Sequence, residues 1–340
     1  MGTAIGDLIE RENIDLEDLQ NKVIAVDAHN ILYQFLTTIR GPDGKPLMDE
    51  NGVVTSHLAG LLYRTSNWLE AGMKPVFVFD GKPHPLKQLT LQKRHEIRTQ
   101  AKEEMDKAIE SGDFEKARLM GSRAVSLDAG MIAEAKKAMH VLGFPVIEGK
   151  QEGEAQATQL VQAGLAYAAG TQDYDTLLFG CPKIIRNIGV TGKRKLPYRN
   201  AYVDVHMELI ELHKELHRLQ LSREQLIWIG MLIGTDFNEK IPNVGPKKAL
   251  KAVQGKQSFD AVLEGLKASV EYDWKAVEEM FLRPAAHEIE KLPVTKQDRE
   301  AAIQFYVHTH GFDLTRVTNA LNKMEKKPQD EKQKTLGSWG

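Results

Sequence analysis

Seven acidic residues in this chain stand beside apolar or small residues rather than in solvated charge runs. Asp27 closes "KVIAVD" and Asp80 closes "KPVFVFD". Glu152 and Glu154 stand two apart in "EGEAQA", as do Asp173 and Asp175 in "TQDYD", and Asp236 follows the apolar run "LIWIGMLIG". That spacing suits extended or turn backbone, on which alternate side chains share a side. Carboxylates gathered without cations repel one another and take up protons, so a cluster that works at neutral pH needs metal ions. Oxygen-only ligands select a hard cation, Mg²⁺ or Mn²⁺. Two such ions about 4 Å apart clamp the attacking and leaving oxygens of an in-line displacement at phosphorus. The set therefore points to phosphodiester hydrolysis. Singly, each acid could be a helix cap or a loop residue, and for Asp236 that reading weighs as much as the other. For all seven together it is poor.

The elements that must bring these acids together read as alternating strands and helices. The runs 22–27 and 74–80 are apolar on both faces, the pattern of buried strands. "GFPVIEG" and "LAYAAGTQDYD" read as two more strands, each followed by acids. Between the first two lie "HNILYQFLTTI" and "SHLAGLLYRTSNWLEAG", which read as helices. The expected fold is α/β, a mostly parallel central sheet with helices on both faces. Ligands of such sheets bind beyond the carboxyl ends of the strands, where these acids would stand. Residues 81–130 are charged and helix-favouring, and read as a helical insertion standing partly off the core. Residues 183–199 carry six basic residues and no acid, in a strand-loop-strand pattern. From about residue 204 the chain is expected to be helical.

Lys87, Lys93, Arg94 and Arg98 lie in the insertion. Lys87 and Arg94 are seven apart and share a helical face, which could grip the scissile phosphate or simply be solvated. "IPNVGPKKALKAV" resembles a helix-hairpin-helix, whose amides and helix N-terminus can cradle a phosphate. Lys247, Lys248 and Lys251 would add positive charge there. The G-x-G usual at such hairpins is here Asn243-x-Gly245, and Asn tolerates positive φ. His213 and His217 are i, i+4 without a metalloprotease pattern, and read as surface or packing residues. Tyr33, in "ILYQFL", fits a core position at least as well as a base-stacking one.

The 340 residues suffice for one large domain with insertions or about two domains. A net charge of -2 gives no global basic signature, and a single cysteine excludes an intramolecular disulfide or a cysteine-rich zinc site. The first residues lack the apolar core of a signal peptide, and "LIWIGMLIG" is too short to span a bilayer, so a cytoplasmic protein with no membrane contact is expected. The end, "NKMEKKPQDEKQKTLGSWG", reads as a flexible tail.

Taken together, "AVDAHNILYQFL", "TSHLAGLLYRT", "PVFVFDGKP", "EGEAQA", "TQDYDTLLFG" and "GTDFN…VGPKKAL" resemble the structure-specific 5′ nucleases, archaeal flap endonucleases in particular. The resemblance runs over roughly residues 1–325, in the family's order and spacing. It implies a PIN-like nuclease domain with its core at 1–80 and 131–240, a helical arch at about 81–130, and a helix-hairpin-helix with C-terminal helices at about 220–325. It implies cleavage of branched DNA near a 5′ flap, with 5′–3′ exonuclease activity, in replication (Okazaki fragment maturation) and repair. By the same resemblance the seven acids hold two Mg²⁺ ions, the Glu pair leaning to one and the Asp pair to the other. Lys87 and Arg94 match the basic catalytic pair and Tyr33 the aromatic that stacks beside the scissile bond. Gly2, Arg64, Asn243, Gly245, Lys247, Lys248 and Lys251 fall among the DNA contacts, with K⁺ at the hairpin. "QKTLGSWG" (333–340) resembles a sliding-clamp-binding peptide through Gln333, Leu336 and Trp339, with Gly340 where a second aromatic belongs. A monomer is expected. The rivals are a non-catalytic junction-binding scaffold, which would lack the carboxylates, and an Asp-nucleophile phosphatase, which would need D-x-D after the first strand where "VDAHN" has one aspartate.

Overall fold

The computed structural model describes residues 3–41, 45–189, 192–195 and 202–325. The N-terminal part runs through β1 (Glu12–Ile14), β2 (Val23–Asp27), α1 (Ala28–Thr38), α2 (Ser56–Glu70) and β3 (Lys74–Phe79). There follow α3 (Gln88–Glu110), α4 (Phe114–Ala124), α5 (Ala129–Val141), β4 (Val146–Glu148), α6 (Gly153–Gln162), β5 (Ala168–Gly170) and α7 (Asp175–Leu178). The sheet is completed by β6 (Lys183–Arg186), β7 (Gly192–Lys195), β8 (Tyr202–Val205) and β9 (Met207–Glu211). The rest is helical: α8 (Leu212–Leu219), α9 (Arg223–Ile233), α10 (Pro246–Val253), α11 (Phe259–Leu266), α12 (Trp274–Leu282), α13 (Arg299–Ile303) and α14 (Leu314–Glu325).

Seven strands form one sheet in the order β1-β9-β6-β5-β2-β3-β4. The five from β6 to β4 run parallel, and β9 and β1 complete the edge antiparallel to β6 and β9 respectively. Side chains of β2 and β3 alternate between two cores. Ile24, Val26, Phe77 and Phe79 pack with α1, α2, α5 and α14, while Ala25, Val76 and Val78 pack with α6, α7 and α9. Phe77 and Phe79 are fully buried, each stabilising the fold by roughly 1.5–3 kcal/mol relative to an exposed ring. Strand order reverses between β2 and β5, and this switch point opens a crevice at their carboxyl ends.

The helical insertion is a hairpin of α3 and α4 turned at Gly112, whose φ of 73° is in the left-handed region that favours glycine. Its seam is closed by Ala101, Ala108, Ala117 and Met120, all buried, and elsewhere α3 is largely exposed. Beyond residue 204 the chain differs from the helical expectation: β8 pairs with β7, β9 adds a strand to the sheet, and helix begins only at Leu212. "MELIEL" fits both an i, i+2 and an i, i+3 apolar pattern, and the choice is made by β6. That strand pairs with Met207–Glu211 and adds the Arg186–Glu208 and Lys183–Glu211 ion pairs. Among the described residues, no helix is long and apolar enough to cross a membrane.

One glycine fixes how the site's loops meet. The Gly81 N–H donates to the Gln151 carbonyl at 2.7 Å, joining the end of β3 to the loop after β4. A Cβ at Gly81 would lie 2.0 Å from the Gly149 carbonyl oxygen and 2.8 Å from that of Lys150, both backbone. Gly81→Ala must therefore spread the two loops that carry Asp80 and Glu152. We expect it to lower stability by about 3 kcal/mol or more, read as the melting temperature, and to weaken divalent-ion binding. An unchanged melt and unchanged ion affinity would show that the loops yield freely.

Candidate active site

Asp27 ends β2 and also caps α1, its Oδ1 accepting the Asn30 N–H at 3.0 Å. Asp80 follows β3, and its Oδ1 accepts the N–H of Gly153, the first residue of α6, at 2.7 Å. A Cβ on Gly153 would lie 2.7 Å from that same oxygen, so glycine is what lets the amide approach. Glu152 stands at the N-terminal boundary of α6 without bonding its amides, and Glu154 lies in the first turn. Asp173 and Asp175 follow β5, and Asp236 follows the buried helix α9. Asp27, Asp80, Glu152, Glu154, Asp173 and Asp236 line a single open cleft at the carboxyl edge of the sheet. Asp175 sits just behind them, 2% exposed, accepting the Thr3 N–H at 2.7 Å.

The electrostatics are those of an acidic cup. Burial, then the nearby Asp80 carboxylate, pushes Asp27 up to about 8. Burial also raises Asp175, to about 7, with Asp236 and Asp173 adding to the effect against the Thr3 hydrogen bond. Glu154, which keeps part of its surface open to the cleft, is held well above the usual carboxylate range by desolvation and then by Asp173, Asp175 and Asp27. Like charges this close demand protons or cations.

Two cations come from the base of the α3–α4 hairpin. Lys87 ends the 3₁₀ turn Pro85–Lys87, donates to Glu152 and stands 3.6 Å from Asp236. Burial opposes its charge, yet Glu152 and Glu154 outweigh that and hold the ammonium above its ordinary value. Arg94 donates to Asp236 at 2.5 Å. Leu91 and Arg98 complete the face of α3 that lines the cleft, whereas Lys93 does not line it and is paired with the exposed Glu239. Lys87 and Arg94 thus engage carboxylates directly, because charges this enclosed pair with the nearest counter-charge. The grouping also cuts across the sequence pairs: Glu152 is bound by Lys87, while Glu154 stands electrostatically with the aspartates.

Tyr33, one turn into α1, lines the cleft rather than being sealed in the core. Arg64 lies half-buried in α2 and is not among the residues that line the cleft. At the hairpin before α10, Asn243 has φ 61° and its carbonyl accepts from Lys248 at 3.3 Å. Gly245 caps the helix, and Lys247, Lys248 and Lys251 are exposed on it. His213 and His217 are exposed on α8. Gly2 and the Gln333, Leu336, Trp339 motif lie outside the described residues.

Sequence reasoning missed the groups that hold the acids. The Asn30 amide donates to Asp173 Oδ2 at 3.3 Å, and the Thr171 hydroxyl links Asp27 Oδ2 at 3.4 Å to the Asp173 N–H at 3.2 Å. Their only signal in the sequence is proximity to an acid, in "DAHN" and "GTQD".

The donors fit hard divalent ions: oxygen atoms from several chain segments, enclosed and mutually repelling. Among the described residues, no three are drawn together tightly enough to form a ready-made cage, two of the acids being held by Lys87 and Arg94 instead.

The chain matches the XPG N-terminal domain over residues 5–101 and the XPG I-region over residues 143–236. Along its whole length it is 46% identical to flap endonuclease 1 of Thermococcus onnurineus and 45% identical to that of Pyrococcus furiosus, covering 99% of each. The solved structure of flap endonuclease-1 from Methanococcus jannaschii superposes with a TM-score of 0.74 at 33% identity, over 95% of this chain and 98% of that one. The catalytic core of Rad2 in complex with DNA substrate shares the fold, with a TM-score of 0.66 at 24% identity over 94% and 97% of the two chains. At such identity from end to end, the chain belongs to the flap endonuclease family.

Proposed function

We propose that this protein is a structure-specific 5′ flap endonuclease, with 5′–3′ exonuclease activity, acting in replication and repair. The observation that carries this reading is the acidic cup at the sheet's switch point with Lys87 and Arg94 leaning into it from the base of the hairpin. Two Mg²⁺ ions, replaceable by Mn²⁺, would be held by Asp27, Asp80, Glu152, Glu154, Asp173, Asp175 and Asp236. When bound, such ions supply Lewis acidity toward phosphoryl oxygens and lower the pKa of water.

The chain's own residues do the rest. Asp27 and Asp80 are oriented by backbone amides, and Asn30 and Thr171 steady the acids after β5. Lys87 and Arg94 exchange carboxylate for phosphate oxygens as the scissile group arrives and stabilise its charge in the transition state. Tyr33 offers a ring to the neighbouring base. The nuclease domain runs to residue 325, with Gly2, Arg64, Asn243, Gly245, Lys247, Lys248 and Lys251 as DNA contacts. Asn243 takes the positive φ that glycine usually supplies at such a hairpin, which supports reading the hairpin as the element that would hold K⁺. Gln333, Leu336 and Trp339 would dock on a sliding clamp, and the enzyme would work in the cytoplasm as a monomer.

A 5′-labelled flap duplex, assayed with Mg²⁺ and with chelator, tests this reading. Cleavage near the junction should appear only with Mg²⁺, and binding should fall steeply between about 50 and 200 mM salt, because recognition rests on phosphates. Tight junction binding with no cleavage under any divalent ion would favour the scaffold instead.

A further inference from the structure

Arg223 opens α9 and is not among the residues that line the acidic cleft. A cation there faces the positive end of its own helix dipole, and the start of α9 is already capped by Ser222 and Gln225. The guanidinium serves other helices instead. Its Nη2 donates to the carbonyl oxygens of Phe179 at 2.8 Å and Phe281 at 2.6 Å. Nε and Nη2 both reach the Leu178 carbonyl at 3.4 Å. Leu178 and Phe179 end α7, and Phe281 lies in the last turn of α12, where carbonyls have no partner within the helix. A Cβ on Gly180 would lie 2.6 Å from Arg223 Cζ, so glycine there leaves the guanidinium its place.

The segments that Arg223 joins carry a cluster of buried rings. Phe179 and Phe281 pack at 5.0 Å, and Phe237 closes the group at 5.4 Å from Phe281 and 6.4 Å from Phe179. Phe237 follows Asp236 directly, and its ring lies 5.7 Å from the Lys87 ammonium. The Phe179 N–H donates to the Asp175 carbonyl at 3.1 Å, spanning the whole of α7. A helix of one turn does not hold its own shape. α7 is instead pinned at Asp175 by the Thr3 N–H and at its far end by Arg223.

We propose that Arg223 is a positioning residue for the acidic cup: it fixes α7 and the phenylalanine cluster, and through them the places of Asp175 and Asp236. The inference rests on reading those acids as metal ligands. Its consequence has the opposite sign to that of charge alone. By Coulomb's law, removing a cation from the neighbourhood of the cup would let Mg²⁺ bind more tightly. Loss of positioning weakens Mg²⁺ binding instead, because the oxygens no longer converge.

Calorimetric titration of the full-length protein with Mg²⁺ tests it, comparing wild type with Arg223→Gln, Arg223→Lys and Val262→Ala. Val262 is buried in α11 and shares none of the Arg223 carbonyls, so truncating it lowers the melting temperature without loosening α7. Arg223→Gln should bind Mg²⁺ about 10-fold more weakly, and Val262→Ala as wild type does. Arg223→Lys keeps the charge but not the fan of donors, and should fall between wild type and Arg223→Gln. In chelator, the amides of Phe179 and Gly180 should exchange with solvent about 10-fold faster in Arg223→Gln than in Val262→Ala. Unchanged or tighter Mg²⁺ binding in Arg223→Gln, equal weakening in Val262→Ala, or equal amide exchange in the two each overturns the proposal. Should Arg223→Gln fail to fold, Arg223→Lys against Val262→Ala decides the same question. Wild type that binds Mg²⁺ and cleaves flaps, with Arg223→Gln unaltered in affinity, refutes the positioning alone. Wild type that binds no Mg²⁺ refutes the metal reading and this inference together.

Discussion

Asp80→Ala should reduce cleavage of a 5′-flap duplex by about 10³-fold or more, a loss of roughly 4 kcal/mol in transition-state stabilisation. The side chain of Asp80 is 39% exposed, so truncating it opens no cavity and strands no buried partner beyond one backbone amide. The fold should survive, with a melting temperature within a few degrees of wild type. Junction affinity, carried by phosphate contacts elsewhere, should hardly change, and losing one acid only lessens the cup's repulsion of DNA. On the proposed reading, what disappears is one corner of the divalent-ion site, which a neighbouring water would not replace with the same charge or direction. Steady-state cleavage beside gel-shift binding reads both quantities. Turnover at the wild-type rate would remove Asp80 from the active site, and loss of binding in parallel with cleavage would make its role structural.

The second large effect concerns acidity. Asp27 and Asp175 have folded-state pKa values raised to about 8 and about 7, chiefly by burial. A group raised in this way favours the folded state below its unfolded pKa, near 4, and that contribution is lost as pH climbs through the folded value. In chelator, the protein should therefore lose a few kcal/mol of stability between about pH 5 and pH 8.5, since each tenfold difference in proton affinity is worth about 1.4 kcal/mol. Asp49, Glu134 and Glu211 act in the opposite sense, their pKa values being lowered, but they are already ionised across most of that window. His57, lowered to about 4 by burial, offsets part of the loss at the acidic end of the window. Divalent ions compete with protons for the same oxygens, so Mg²⁺ should raise the melting temperature far more at pH 8.5 than at pH 5.5. Differential scanning fluorimetry over a pH series, with and without Mg²⁺, measures this. Asp27→Asn should flatten the chelator curve. A Mg²⁺ shift of equal size at both pH values would mean that the cup does not bind the ion.

Much of this was legible before the structure, and the reason lies in burial. A strand covered on both faces must be apolar throughout, so the aspartates ending β2 and β3 stood out in "KVIAVD" and "KPVFVFD". Their convergence followed from the parallel topology that strand–helix alternation implies. What stayed hidden depends on partners distant in sequence. Residues 207–211 become a strand only because β6 is there to pair with them. Asn30 reaches Asp173 across 143 positions, and no local pattern encodes that meeting. The direction of Lys87 and Arg94 was likewise open, since a basic helical face looks the same whether it turns to solvent or to a buried glutamate.

Asp27 holds two posts at once, closing β2 and capping α1 through the Asn30 amide. Asparagine there can keep the cap while discarding the charge. In the metal-free protein at alkaline pH, such a substitution would strengthen the fold while emptying the site of one ligand. With Asp27 as the proposed metal ligand, durability and catalysis would be traded directly at this position, and selection for heat resistance alone would drift toward a sturdier, inactive protein.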